Sequence, residues 1–263
     1  MAASRDPIIV TGAASGVGDA TAQMLIDRGH TVISIDIQEP SAPVAEHNMC
    51  DLSDPASIAE VCGRLTGRYA SLLNIAGVPG SVGDEKTIAV NLLGLRELTR
   101  HLFDRIADGG TIVNVASIAG NNWKKRRDIL RDLLATDSFA DGIAWWRQHG
   151  AGIDTDAYTF SKEGVVLYTM QLAMQGIARG IRVNDVGPGL IETPILPDFL
   201  HAMGQETSRG MLEVVGRAAQ PHEIAEAVVV LAEGEMTWLN GQHIIVDGGM
   251  MAGLWSGARR PHE

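Results

Sequence analysis

Cysteine is scarce: only Cys50 and Cys62 occur in 263 residues. Two thiols give no disulfide framework, and neither has metal-ligand spacing with a histidine. The eight histidines, at 30, 47, 101, 149, 201, 222, 243 and 262, do not cluster, so no metal centre is expected. Positive charge is also in deficit, with 21 basic against 32 acidic residues and a formal net charge of −11. An acidic surface argues against nucleic acid and anionic membranes as partners. The start, M-A-A-S-R-D-P, carries no apolar signal region, and no run of about 18 apolar residues could span a bilayer. A soluble, cytoplasmic protein is the expectation. No G-x-S-x-G elbow, internal repeat or low-complexity linker occurs. The one basic run, Lys124-Lys125-Arg126-Arg127, is followed by Asp128, Arg131 and Asp132, and reads as a solvated helix start.

What is present is a rhythm. Strands are expected at Pro7–Thr11, His30–Asp36, His47–Cys50, Ala70–Asn74, Thr111–Ala116, Ile181–Val186 and His243–Asp247. Helical patterns fall between them, at Gly16–Arg28, Pro55–Thr66, Glu85–Ala107, Asp156–Arg179 and Pro221–Ala232, with Asp54 or Ser53 capping the second. Alternating strands and helices make βαβ units and a parallel sheet covered on both faces. The whole chain, 1–263, therefore reads as one doubly wound α/β domain. At 45% hydrophobic residues it can bury a sizeable core.

Three local patterns carry chemistry. The first strand runs into T-G-A-A-S-G-V-G, with Thr11, Gly12, Ser15, Gly16, Val17 and Gly18. Glycines there permit a tight turn and close approach of a pyrophosphate, and the following helix offers its N-terminal amides. Asp36 ends the second strand, 18 positions past the last glycine. A carboxylate there can accept both adenosine ribose hydroxyls and repel a 2′-phosphate. Residues 37–40 are Ile-Gln-Glu-Pro, without an arginine for that phosphate, which favours NAD over NADP. Finally, Tyr158 and Lys162 stand four apart in D-A-Y-T-F-S-K-E-G, on one helix face. An ammonium beside a phenol is expected to lower the phenol pKa and fit it for proton transfer.

With Asp51-Leu52, Asn74-Ile75-Ala76-Gly77, Asn91, Ser117, Asn184, Pro188-Gly189, Thr193 and Asp247-Gly248-Gly249 in the same order, the chain resembles the short-chain dehydrogenase/reductase family from about residue 7 to 249. The resemblance implies a Rossmann-type domain with a seven-stranded parallel sheet. It implies Tyr158 as acid/base and Ser117 as donor to the substrate oxygen. Lys162 would hold the nicotinamide ribose, and Asn91 a water linking Lys162 to solvent. Asp51 and Leu52 would meet the adenine, and Asn74, Ala76 and Gly77 would pass under its ribose. Pro188, Gly189 and Ile191 would face the nicotinamide, with Thr193 on its carboxamide or a phosphate. Ile75 departs from the family's usual second asparagine. Asp247-Gly248-Gly249 reads as a structural turn.

Two stretches break the rhythm. Ser117 and Tyr158 are 41 positions apart, so residues 121–150 form an insertion of roughly thirty residues relative to usual loop lengths. A similar insertion marks the branch that resembles bacterial 3α-hydroxysteroid dehydrogenase/carbonyl reductase and coniferyl-alcohol dehydrogenase, where extra helices join a dimer contact. A homodimer is expected, with a tetramer as the other family form. The apolar residues from Ile129 to Trp146 would pack on the partner or wall the pocket, and Trp123, Trp145 or Trp146 would add flat aromatic surfaces. Residues 190–216 form a candidate substrate lid, apolar through Ile195, Leu196, Phe199, Leu200, Met203, Met211 and Leu212, with Arg209 as its cation. The implied substrate is a small hydrophobic alcohol or ketone, cyclic or aromatic. The competing readings are an NADP-linked carbonyl or ketosteroid reductase, and a nucleotide-binding protein of the same fold without catalysis.

Overall fold

The structure, a computed structural model, describes residues 6–257 except 195 and 204, and describes no side chain for 199 and 201–209. Ile195 and the side chains of Phe199, Met203 and Arg209 in the expected lid lie outside that set.

Seven strands form one parallel sheet: β1 (Ile8–Thr11), β2 (Val32–Asp36), β3 (Glu46–Met49), β4 (Tyr69–Asn74), β5 (Ile106–Val115), β6 (Arg182–Pro188) and β7 (His243–Val246). Their order is β3-β2-β1-β4-β5-β6-β7, so the winding reverses between β1 and β4. The central strands are β-branched and leucine-rich runs buried on both faces, as a covered parallel sheet requires. The helices are α1 (Gly16–Asp27), α2 (Pro55–Arg64), α3 (Asp84–Ile88), α4 (Leu95–Leu102), α5 (Arg127–Leu134), α6 (Phe139–His149), α7 (Ala157–Gly176), α8 (Leu196–Met203), α9 (Gln205–Val215), α10 (Pro221–Glu233) and α11 (Met250–Ser256). One core lies between the sheet and α2, α4 and α7; the other lies between the sheet and α1 and α10.

Most boundaries shift by one to three residues, and two shift by about five. The helix expected over Glu85–Ala107 is α3, a π-helical turn (Ala89–Gly94) and α4 in succession, and it stops at Leu102. A 3₁₀ turn at Phe103–Arg105 follows, and β5 begins early because Ile106 pairs with Tyr69. Asp54 is the α2 cap: its carboxylate accepts from the Ala56 amide.

The insertion folds onto its own chain. Leu130, Leu133, Leu134, Phe139 and Trp146 are buried in the α4–α7 core. The expectation of a partner contact or pocket wall through these side chains is thus corrected: they cover apolar surface of their own domain. Two arginines fasten it. Arg96, fully buried, donates to the Leu133, Leu134 and Ser138 carbonyls and to the Thr136 hydroxyl, closing the end of α5. Arg126 makes a two-pronged pair with buried Glu163 (2.7 and 2.6 Å) and reaches Asp154 at 2.9 Å. The basic run is therefore not wholly solvated; its third member is an anchor.

Candidate active site

A cleft of about 1130 Å³ opens along the carboxyl ends of β1, β2, β4, β5 and β6. Parallel α/β sheets place their ligand crevice at this edge, where the winding reverses. One end of the cleft is the glycine turn. Gly12 has φ +71°, and a Cβ there would lie 2.8 Å from the Ala76 backbone. At Gly18 a Cβ would sit 2.0 Å from the Gly12 carbonyl, so only glycine lets α1 close against the turn. Gly16, at φ +55°, lies against Thr193, and Ser15 precedes α1 without a side-chain cap bond. The Thr11 hydroxyl accepts from the Ile75 and Ala76 amides at 2.9 and 3.0 Å, tying the turn to the end of β4. Asp36 stands beside it, one carboxylate oxygen taking the Ala14 amide and the other the Gln38 amide. Asp51 accepts from the amide and hydroxyl of Ser53.

Farther along the cleft stand Ser117, Tyr158 and Lys162. Ser117 follows β5 and caps the 3₁₀ segment Ile118–Arg126, accepting the Ala119 amide at 3.2 Å. Its hydroxyl stands close enough to the Tyr158 phenol to favour the ionised form. Asp156 caps α7 and so fixes where Tyr158 and Lys162 face. The Lys162 Nζ donates to the Val115 carbonyl at 3.0 Å and lies 5.7 Å from the Tyr158 ring centre. Burial pushes the Tyr158 phenol up to about 12, with the Ser117 hydroxyl pulling the other way. Burial pulls Lys162 down to about 8, and Asp185 opposes that. The phenol is thus raised where the sequence reading expected it lowered: removal from water is the largest cause, and the Asp156 charge adds to it.

Gly12, Ser15, Gly16, Val17, Gly18, Asp36, Asp51, Leu52, Ala76, Gly77, Ser117, Tyr158, Lys162, Pro188, Gly189, Ile191 and Thr193 all line this one cleft. Two expected residues stand behind its wall. Asn74 is buried and donates to Thr99 and to the Asn114 side chain, holding β4 to its neighbours. Asn91, in the π turn, accepts from the Val78 amide and donates to the Val78 carbonyl, so both ends of its amide hold the wall. Trp123, Trp145 and Trp146 do not face the cleft; Trp145 and Trp146 pack around Phe160. The cleft is lined instead by the aliphatic Val82, Ile118, Leu190, Leu196, Met211 and Leu254, with Asp84, Lys86 and Asp198 also on its rim or walls. The sequence reading missed Val82, Ile118 and Leu254, since lone apolar residues carry no positional signal.

Similarity to known proteins follows the same geometry. The short chain dehydrogenase model matches residues 6–127, and the Enoyl-(Acyl carrier protein) reductase model matches residues 142–251. The chain is 35% identical to coniferyl-alcohol dehydrogenase of Pseudomonas sp. (strain HR199 / DSM 7063), covering 95% of this chain and 98% of that one. The chain belongs to the short-chain dehydrogenase/reductase family. As a member it is an oxidoreductase on a fold that binds a nicotinamide cofactor. Cyclohexanol dehydrogenase of Acinetobacter sp. (strain SE19) is 27% identical over 91% of this chain and 92% of that one. The solved 3-alpha-hydroxysteroid dehydrogenase from Pseudomonas sp. B-0831, complexed with NADH, superposes with a TM-score of 0.77 at 28% identity, covering 96% and 99% of the two chains. Among the described residues no helix is long and apolar enough to cross a membrane.

Proposed function

We propose that the chain is an NAD-dependent dehydrogenase that interconverts a hydrophobic cyclic or aromatic alcohol and its carbonyl compound. One observation carries this reading: Ser117, Tyr158 and Lys162, from β5 and α7, meet in the cleft that also holds the glycine turn and Asp36. The cradle fits a dinucleotide. Its glycines let the turn close tightly, since a Cβ at 12 or 18 would strike the backbone of Ala76 or Gly12, α1 presents its first amides, and Asp36 offers two oxygens beside an arginine-free segment. Gly12 to Gly18, Asp36, Asp51, Leu52, Ala76 and Gly77 would hold the adenosine and phosphates. Pro188, Gly189, Ile191 and Thr193 would hold the nicotinamide end. When bound, the nicotinamide supplies or takes up the hydride.

The chain's own residues handle the proton and the charge. In oxidation Tyr158, as phenolate, takes the hydroxyl proton of the alcohol; in reduction its phenol gives that proton to the carbonyl oxygen. Ser117 donates a hydrogen bond to the same oxygen as negative charge develops. Lys162 stabilises the phenolate through its ammonium and holds the cofactor ribose. Asn91 is a positioning residue whose amide fixes the Val78 wall; a water there would use its remaining lone pairs. The aliphatic wall excludes water and favours an uncharged substrate. The relatives that act on coniferyl alcohol and cyclohexanol support an aromatic or alicyclic alcohol.

The test is a panel of cinnamyl, alicyclic, terpene and steroid alcohols assayed at mildly alkaline pH with NAD or NADP. NADH formation from at least one of them, with NAD preferred, is the expected result. No turnover of any, or a preference for NADP, contradicts the reading.

A further inference from the structure

A row of polar side chains crosses the sheet under α7. Asn74, Asn114, Asp185 and His243 occupy paired positions on four adjacent strands, β4 to β7. A parallel sheet covered on both faces is normally apolar there. The row is joined: Asn74 donates to Asn114, Asn114 donates to the Thr169 hydroxyl of α7, and His243 Nδ1 donates to Asp185 Oδ1 at 2.5 Å. His243 Nε2 meets Asn121 Oδ1 at 3.0 Å, where the 3₁₀ segment begins its path over α7.

Asp185 is fully buried. It shares a face with Val183, which packs in the α7 core, because alternate residues of a strand point the same way. Val115, whose carbonyl takes the Lys162 ammonium, is the β5 neighbour of Asn114, the residue paired with Asp185. A buried carboxylate needs a compensating cation. Lys162 is the buried lysine on the helix above it.

We propose that Asp185, held by His243 and Asn121, is the counter-ion of Lys162 and so a positioning residue for the hydride-transfer reaction. The charged and titratable groups around Lys162 are few. Tyr158 faces it from α7; Asp185, on β6, acts on it through space rather than by a direct bond, and is itself paired with His243 of β7. Arg126 of the 3₁₀ segment is occupied by Glu163 and Asp154, and the π turn presents only neutral Asn91. Burial weakens the lysine's charge and Asp185 restores part of it. Burial raises the Asp185 carboxyl above its ordinary range, and the His243 bond and the Lys162 charge oppose that rise. In its ionised form Asp185 favours the protonated lysine, the form the phenolate needs. The catalytic part rests on the proposed function; the counter-ion part does not.

The chain has only four lysines, Lys86, Lys124, Lys125 and Lys162, so ¹³Cε-lysine labelling of the full-length protein gives four resolvable titrations. Lys162→Met assigns the Lys162 signal. In wild type that signal should titrate below the other three. In Asp185→Asn it should fall further by at least about one pH unit, the size of a removed neighbouring charge, while the other three stay in place and report an intact fold. His243→Phe, which keeps a ring without a donor, should shift it in the same direction and serves if Asp185→Asn does not fold. An unmoved Lys162 titration in the folded variants overturns the proposal. A moved titration with an unchanged pH profile of alcohol oxidation overturns its catalytic part. If no alcohol is turned over, the dehydrogenase reading fails on its own, and the Lys162 titration still decides the counter-ion.

Discussion

In the proposed function Asp36 would set the preference for NAD through one carboxylate. Its two oxygens accept the Ala14 and Gln38 amides and keep free lone pairs toward the cleft. Asp36→Ala should weaken NAD binding and cut the NAD-over-NADP ratio of kcat/KM by at least about tenfold, because a repulsive and an attractive contact are lost together. Lys162 gives a pH dependence with a definite sign. Its folded pKa of about 8 lies below the ordinary 10.5, so the unfolded chain holds more protons between those values. Its destabilising effect is fully present below pH 8 and fades as pH rises to 10.5. The stability of wild type minus that of Lys162→Met, from urea unfolding, should therefore become more favourable from pH 8 to 10; a flat difference contradicts the buried lysine. At Gly18 the 2.0 Å approach to the Gly12 carbonyl leaves no room even for a methyl. Gly18→Ala should lose at least about 2 kcal/mol of stability by overpacking, together with cofactor binding. The glycines, Asp36, Ser117 and Tyr158-x-x-x-Lys162 were legible in the sequence because each needs a fixed residue type at a fixed spacing. Asp185 and His243 were not, since their meaning arises from strand register. A charged residue inside I-R-V-N-D-V was the available signal.

The elements with local causes were readable: strands by their β-branched runs, α2 by its cap and proline, α7 by Asp156. The π turn was not, because its cause is tertiary: Asn91 must turn inward to hold Val78. The insertion was legible as an interval but not in its packing. Its leucines and tryptophans fit a partner interface as well as a core, and only Arg96 and Arg126 decide between them. Arg126 is the testable part. Arg126→Ala strips the partner from a fully buried Glu163 and should cost about 3 kcal/mol or more. Arg126→Met with Glu163→Leu should recover most of that loss in thermal unfolding. If the single variant unfolds at the wild-type temperature, the anchor assigned to the insertion is wrong.

At the scale of the whole molecule, seven parallel strands and a winding reversal between β1 and β4 bring residues from opposite ends of the chain to one edge. Strand number and parallel direction followed from the alternation of elements, while the order of the strands was not read from the sequence. We expect a homodimer. The insertion's buried leucines, Phe139 and Trp146 are already covered, so the contact would use other surface, with Met174 of α7 and Ile177 just after it exposed to 70% and 56%. Light scattering on the eluting peak should give twice the 28.0 kDa chain mass; a monomer contradicts this. The central claim is that Tyr158 moves the proton in a cleft built to hold a dinucleotide without it. Comparing Tyr158→Phe with wild type, by NADH formation and by NAD binding on the same samples, tests this most directly. The account predicts turnover lost nearly completely with NAD affinity retained. Turnover at the wild-type rate with phenylalanine at 158 would contradict it.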